Sequence, residues 1–312
     1  MNRGTWLVSR LLQIIPTFIL IGLAVFVLAR LLPGNVVEAL LGDRGTDEAV
    51  ARLTAQLGLD RSIPVQLLQY FRAILEGDLG DSLALRIKVT TLIADRLPVT
   101  GMLTLMAIII ALGMAVPLAF VAALNANRWP DLLIRWVFQL GLSSPVFYVG
   151  LLLLTVFAAG LRWFPVGGYG DTFGEKLYHL FLPAVALAFS FSAVVMRNLR
   201  ASILAVLNAE YVDFARAKGI AARLVLFRHV LRNALIATVT LVGLHIGSLL
   251  GGAVVTESVF AVPGVGRLMV DSIFSRDYPV IQALTLVLAL LVSLAFLVTD
   301  IVQMWLDPRV SR

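Results

Sequence analysis

An all-helical, polytopic membrane protein with six transmembrane helices is the fold class this sequence predicts, and two observations carry that prediction. Hydrophobic residues make up 60% of the 312 positions, and the mean hydropathy is +0.94, well above the half-apolar balance of a soluble globule. Six stretches without Asp, Glu, Lys or Arg follow one another, at residues 11–29, 97–127, 136–161, 177–196, 233–256 and 278–299. Each is long enough to cross about 30 Å of hydrocarbon as a helix at about 1.5 Å per residue. A buried core helix accounts for one such run, not for six.

The first run follows Arg3 and Arg10 and leads into Arg30-Leu31-Leu32-Pro33-Gly34 instead of a small-x-small cleavage pattern, so residues 1–31 read as a retained N-terminal transmembrane helix. Residues 32–96 form the sizeable loop. Within it, Gly42 to Asp47 is a turn, Thr46 or Asp47 caps a helix over residues 48–57 closed at Gly58, and Pro64 opens a second amphipathic helix that ends at Gly77. Residues 97–306 hold the remaining spans, interrupted by a basic loop over 197–233, and residues 307–312 form a tail.

Short-loop charge sets the orientation. Arg3 and Arg10, the loop at Arg128 and Arg135, the 197–233 segment and tail residues Arg309 and Arg312 alternate correctly to share the cytoplasm. Both termini are thus expected inside and the 32–96 loop outside. The net charge of +6 is concentrated after span four, where Arg197, Arg200, Arg216, Lys218, Arg223, Arg228 and Arg232 face only Glu210 and Asp213. It signals a positive-inside loop, with lipid phosphates the ordinary partners of Arg197, Arg200 and Arg223, and not a nucleic-acid interface.

Inside that loop lies a short amphipathic helix. Asn208 suits its N-cap, Glu210 its first turn, Lys218 its last turn and Gly219 its stop. About three turns long, it presents Ala215, Ala217 and Gly219, small residues that let another backbone approach. At Ala215-Arg216-Ala217-Lys218-Gly219 the chain resembles the cytoplasmic coupling segment, the EAA loop, of ABC importer permeases, in the wording of the dipeptide/oligopeptide/nickel branch. Asp213, Phe214 and Ala215 align with the Glu-Ala-Ala triplet, Gly219 with its glycine and Leu231 with its leucine, while His229 and Arg232 replace the isoleucine and proline.

The likeness runs along nearly the whole chain, through Leu31-Leu32-Pro33-Gly34, Leu57-Gly58-Leu59-Asp60, Ile63-Pro64-Val65-Gln66, Gly77-Asp78-Leu79-Gly80 and Leu97-Pro98-Val99-Thr100. It continues in Ser144-Pro145-Val146-Phe147, Trp163-Phe164-Pro165, Gly251-Gly252, Thr256-Glu257, Pro263-Gly264-Val265-Gly266-Arg267, Arg276-Asp277-Tyr278-Pro279 and Asp307-Pro308-Arg309. Order and spacing give the match its weight. The resemblance implies a type I permease core over 97–306 and a peptide-importing, binding-protein-dependent transporter. Expected partners are a second homologous permease, two ABC ATPase subunits and a periplasmic or lipoprotein solute receptor, with membrane lipid around them. Glu210, Tyr211, Asp213, Phe214, Ala215, Arg216, Ala217, Lys218 and Gly219 would then be the ATPase-docking coupling helix.

Catalytic chemistry is not expected. The sequence has no G-x-x-x-x-G-K-[ST] phosphate loop, no H-E-x-x-H, no cysteine and only three scattered histidines at 179, 229 and 245, so neither a metal nor a cofactor is expected. Gly264-Val265-Gly266 after Pro263 is a turn. Span five supplies the candidate pathway or gate residues His245, Gly251, Gly252 and Glu257. A packing role competes for His245 and the glycines, and a structural ion pair or loop cap competes for Glu257. The rival class is an ion-gradient-driven secondary transporter or channel, which would want intramembrane acids; the six apolar runs contain none.

Overall fold

A computed structural model describes residues 3–31, 46–56 and 60–306. The turn at Gly42, the closing Gly58 and the tail with Arg309 and Arg312 lie outside the described residues. The described chain is helical throughout its elements: α1 (Arg3–Leu31), α2 (Asp47–Gln56), α3 (Ile63–Leu75), α4 (Val89–Leu124), α5 (Trp129–Ser143) and α6 (Val146–Leu153), which continues as π-helical turns over Leu154–Gly160. After them come α7 (Phe173–Leu207), α8 (Glu210–Ala217), α9 (Arg232–Val259), α10 (Val265–Phe274) and α11 (Tyr278–Leu306). A single turn, Ala222–Leu224, and a π-helical stretch, Val225–Leu231, lead into α9.

Among the described residues, four helices are long and apolar enough to cross a membrane: α4, α7, Ala222–Val259 and the greater part of α11. Helices α5 and α6 together make a fifth if counted as one broken span, and α1 contributes a shorter apolar stretch, Leu12–Leu28. The break corrects the expectation of one continuous helix over 136–161: the chain turns by 106° between α5 and α6. Pro145 is the cause. It has no N–H to continue the ladder, and its ring forces Ser144 to φ −96°, ψ 129°, an extended backbone.

Two span boundaries also move. Helix α4 begins at Val89, inside the segment read as outer loop, because Val89, Leu92 and Ile93 are buried against Val265, Leu268, Val280 and Leu284. Helix α7 runs on to Leu207, so the first third of the basic loop is membrane helix prolonged, with Leu199 and Ile203 fully buried.

The bundle is organised around α4 and α7, which make the most extensive interhelical contact. An alanine every fourth residue on α4, Ala107, Ala111, Ala115 and Ala119, is wholly buried. Small residues at that spacing let two backbones close up where lipid offers no hydrophobic drive for association. Around this seam α9 packs on α7 and α11, and α1 lies against α11, where Arg10 pairs with Asp300 at 3.2 Å.

The segment between α3 and α4 is stitched to the last helix. Asp277, 2% exposed just before α11, accepts hydrogen bonds from the Ser82 hydroxyl at 2.5 Å and the Leu83 and Ala84 amides at 3.1 and 3.2 Å. Two sequence motifs about two hundred residues apart, around Gly80 and Asp277, thus meet in one turn.

Candidate functional site: the coupling segment and the outer end of α9

Helix α8 is two turns long, not three. Asn208 is the C-cap of α7, its amide reaching back to Leu204 O, and Ala209 is the N-cap of α8 without a side-chain hydrogen bond. Asn208 therefore does not cap α8, because α7 continues to the residue before it. Glu210 and Asp213 in the first turn supply negative charge to the N-terminal dipole instead.

The far end matches the sequence expectation. Ile220 N donates to Ala215 O at 3.3 Å and Gly219 N to Arg216 O at 2.9 Å, the paired bonds of a Schellman motif. Gly219 has φ +76°, and a Cβ built there would meet no heavy atom within 4 Å. Glycine is required by backbone conformation, and the space above it is open.

The amphipathic faces divide the helix by role. Val212 and Ala215, 0% and 6% exposed, sit in the core cluster with Val195, Leu199, Ile203, Val225 and Val230. Ala215 is thus an internal anchor and not part of an exposed small-residue surface, a correction that follows from its three-residue spacing from Val212. The opposite face exposes Tyr211, Phe214, Ala217, Lys218 and Gly219, with Phe214 63% accessible. Lys218 Nζ lies 4.6 Å from the Phe214 ring, Arg216 pairs with Asp213 at 3.4 Å, and Tyr211 accepts from Asn233 Nδ2 at 3.1 Å. Beside it Phe227 stacks on Phe120 at 6.1 Å. An exposed aromatic pair on a helix bolted to the bundle core is suited to receive a partner and to pass its displacement inward.

At the other end of α9, Glu257 is fully buried. Its carboxylate accepts from the Thr100 hydroxyl at 2.5 Å and from the Arg267 amide at 3.0 Å, while Thr100 Oγ1 accepts from Val265 N at 2.9 Å. Arg267 is the third residue of α10, so Glu257 caps that helix from a distance and latches it to α4 and α9. A Cβ on Gly264 would overlap the carboxyl group, and one on Gly266 would come 2.5 Å from Val254 Cα; both glycines are there for close approach. The loop-cap alternative describes Glu257, and no face of its carboxylate is open to a passing solute.

The other span-five residues separate. Gly252 faces α7, where a Cβ would come 3.1 Å from a Leu187 methyl, whereas a Cβ on Gly251 would meet nothing within 4 Å. His245 is half-buried with its ring edge-on to Phe191 at 6.3 Å. Leu244, Ser248, Gly251 and Val255 form one exposed stripe along α9, uncovered by any other described helix of this chain.

Comparison with known proteins places this geometry. Residues 115–312 match the family described as binding-protein-dependent transport system inner membrane component, and residues 5–104 match the N-terminal region of such membrane components. The chain is 38% identical over 305 residues to the glutathione transport system permease protein GsiC of Salmonella paratyphi A (strain ATCC 9150 / SARB42), covering 98% of each. It is 37% identical over the same length to GsiC of Escherichia coli (strain K12). A solved structure titled an amino acid ABC transporter with histidines is similar in fold, with a TM-score of 0.50 at 20% identity over 66% of this chain and 94% of that one.

Proposed function

Since the chain belongs to the family of binding-protein-dependent transport system inner membrane components and is a permease subunit of an ABC importer, we propose that it moves di- or oligopeptides inward across the bacterial cytoplasmic membrane, driven by ATPase subunits docked on α8. The observation that carries this reading is the division of α8 between a buried anchor, Val212 and Ala215, and an exposed contact face around Tyr211 and Phe214. Glutathione, named for the relatives, is a tripeptide, which supports a short peptide as solute.

In this reading six spans traverse the bilayer with both termini inside, the broken α5–α6 pair and α1 completing the count. A second permease covers the α9 stripe of Leu244, Ser248, Gly251 and Val255, and the pathway runs between the two copies of that stripe, past Gly251 and His245, with Gly252 packed behind it on α7. ATP closing the nucleotide-binding dimer draws two coupling helices together. The α8–α7–α4 core tilts with them and shifts the population toward an outward-open state that receives solute from its receptor; hydrolysis resets it. Only contacts that differ between the two states do this work, so a rigid mount for α8 is needed and a catalytic group in this chain is not.

The test is reconstitution. In proteoliposomes, concentrative peptide uptake should require the second permease, both ATPases, ATP and the receptor together. Uptake by this chain alone on a proton or sodium gradient would install the secondary-transporter reading in its place.

A further inference from the structure

A cavity of about 550 Å³ opens between α5 and α7, beside the membrane end that carries α8, with Arg135, Trp136, Leu142, Arg197 and Arg200 in its lining. We propose that it is a binding site for one anionic phospholipid, the phosphodiester held by Arg135 and Arg197 and the acyl chains laid along Trp136 and Leu142.

Charge is the first ground. Asp131 is 0% exposed and its carboxylate is fully engaged: Arg200 donates Nε at 2.7 Å and Nη2 at 2.6 Å, and the Asn127 amide donates at 2.8 Å. Arg135 Nε approaches the same carboxylate at 3.4 Å. Asp131 therefore fixes the Arg200 guanidinium and is shared at its edge by Arg135, so one carboxylate faces three arginines and the cavity keeps a net charge of two positive. Among the described residues, no acid lies within ion-pair distance of Arg197, which is exposed. Two arginines at the mouth of one apolar pocket are the complement of a negatively charged headgroup, and their forked donors suit its two non-bridging oxygens.

Depth is the second. Residues 177–196 of α7 carry no charge and Arg197 is the first to follow, so its guanidinium lies where hydrocarbon gives way to headgroups. Trp136, 72% exposed, lines the same cavity as Arg197, and tryptophans are enriched at that boundary. Basic pockets between membrane helices at this depth take phospholipid heads. The inference needs only that these helices are in a bilayer, not which side α8 faces.

The measurement is native mass spectrometry of the assembled transporter in detergent, titrated with dioleoyl-phosphatidylglycerol and, separately, dioleoyl-phosphatidylcholine. The complex should retain phosphatidylglycerol in preference to phosphatidylcholine. The double variant Arg135→Gln/Arg197→Gln should weaken the phosphatidylglycerol adduct by about thirtyfold, the value for two interfacial charges. Lys176→Gln, which removes a cation at the opposite end of α7, should leave it unchanged. Equal retention of the two lipids, or an adduct indifferent to the double variant, would overturn the proposal. So would displacement by millimolar inorganic phosphate, which would make it a plain anion site. An adduct seen on the lone chain and absent from the assembled complex would overturn it too, assigning the cavity to a partner subunit.

Discussion

Replacing Glu257 by glutamine tests the latch that joins α4, α9 and α10. The carboxylate offers one oxygen to the Thr100 hydroxyl and the other to the Arg267 amide. A carboxamide has a single acceptor oxygen, so one of the two donors must face an N–H. With Glu257 fully buried and Thr100 2% exposed, water cannot substitute, and an orphaned donor at such a site costs about 1–3 kcal/mol. Thr100→Val removes the hydroxyl that serves Glu257 and also the acceptor for Val265 N, for a similar loss. Because both variants break the same bond, the double variant should fall short of the sum by about 1 kcal/mol. Equilibrium unfolding in mixed micelles of increasing SDS fraction, followed by tryptophan fluorescence, reads all three. Parental stability for Glu257→Gln, or additivity within about 0.4 kcal/mol, would refute the latch.

Tyr70 should behave in the opposite direction. Its hydroxyl is buried and, among the described residues, has no hydrogen-bond partner; burial, opposed only by the nearby Arg30, pushes its pKa up to about 12. Tyr70→Phe keeps the ring between Phe26 and Phe71 and should leave stability unchanged or raise it by about 1 kcal/mol in the same unfolding assay; a loss of that size would reveal a partner. Topology is read by single-cysteine labelling against a chain with no native cysteine. Asp78→Cys should react with an impermeant maleimide from the periplasmic side and Arg216→Cys only after the inner face is opened; the reverse pattern would invert the proposed orientation.

What the sequence reveals here depends on how local the determining physics is. Gly219 is legible because a left-handed helix stop is written in one residue, and Pro64 and Gly77 bracket α3 for the same kind of reason. The 106° break is written in Ser144-Pro145, but the unbroken apolar run around it reads as a single span when hydropathy alone sets the boundary. Asn208 is misplaced by sequence reasoning because a strong capping residue also suits the end of the preceding helix, and only the length of α7 decides between them. The inward turn of Ala215 depends on which face of α8 the bundle covers, a tertiary fact that a run of small residues does not encode. Glu257 and Asp277 are the clearest cases of partners hidden by distance. Their donors include Thr100 on α4 and Ser82 in the segment between α3 and α4. The motif resemblance singles out every one of these neighbourhoods, but not that they pair.

The central claim, that α8 is where ATPase subunits engage, is tested most directly at Gly219. Its φ of +76° makes any Cβ cost on the order of 1 kcal/mol in backbone strain, and a Cβ there meets no heavy atom of the described residues within 4 Å. Gly219→Leu should therefore insert and fold, while its side chain stands in the way of a docked partner. The measurement is co-purification of the ATPases and receptor-stimulated ATP hydrolysis, each against the parent sequence, with Ala221→Ser as the control in the same loop. Loss of both from a normally inserted Gly219→Leu protein is the expected result. Intact assembly with parental ATP hydrolysis would contradict the docking role of α8.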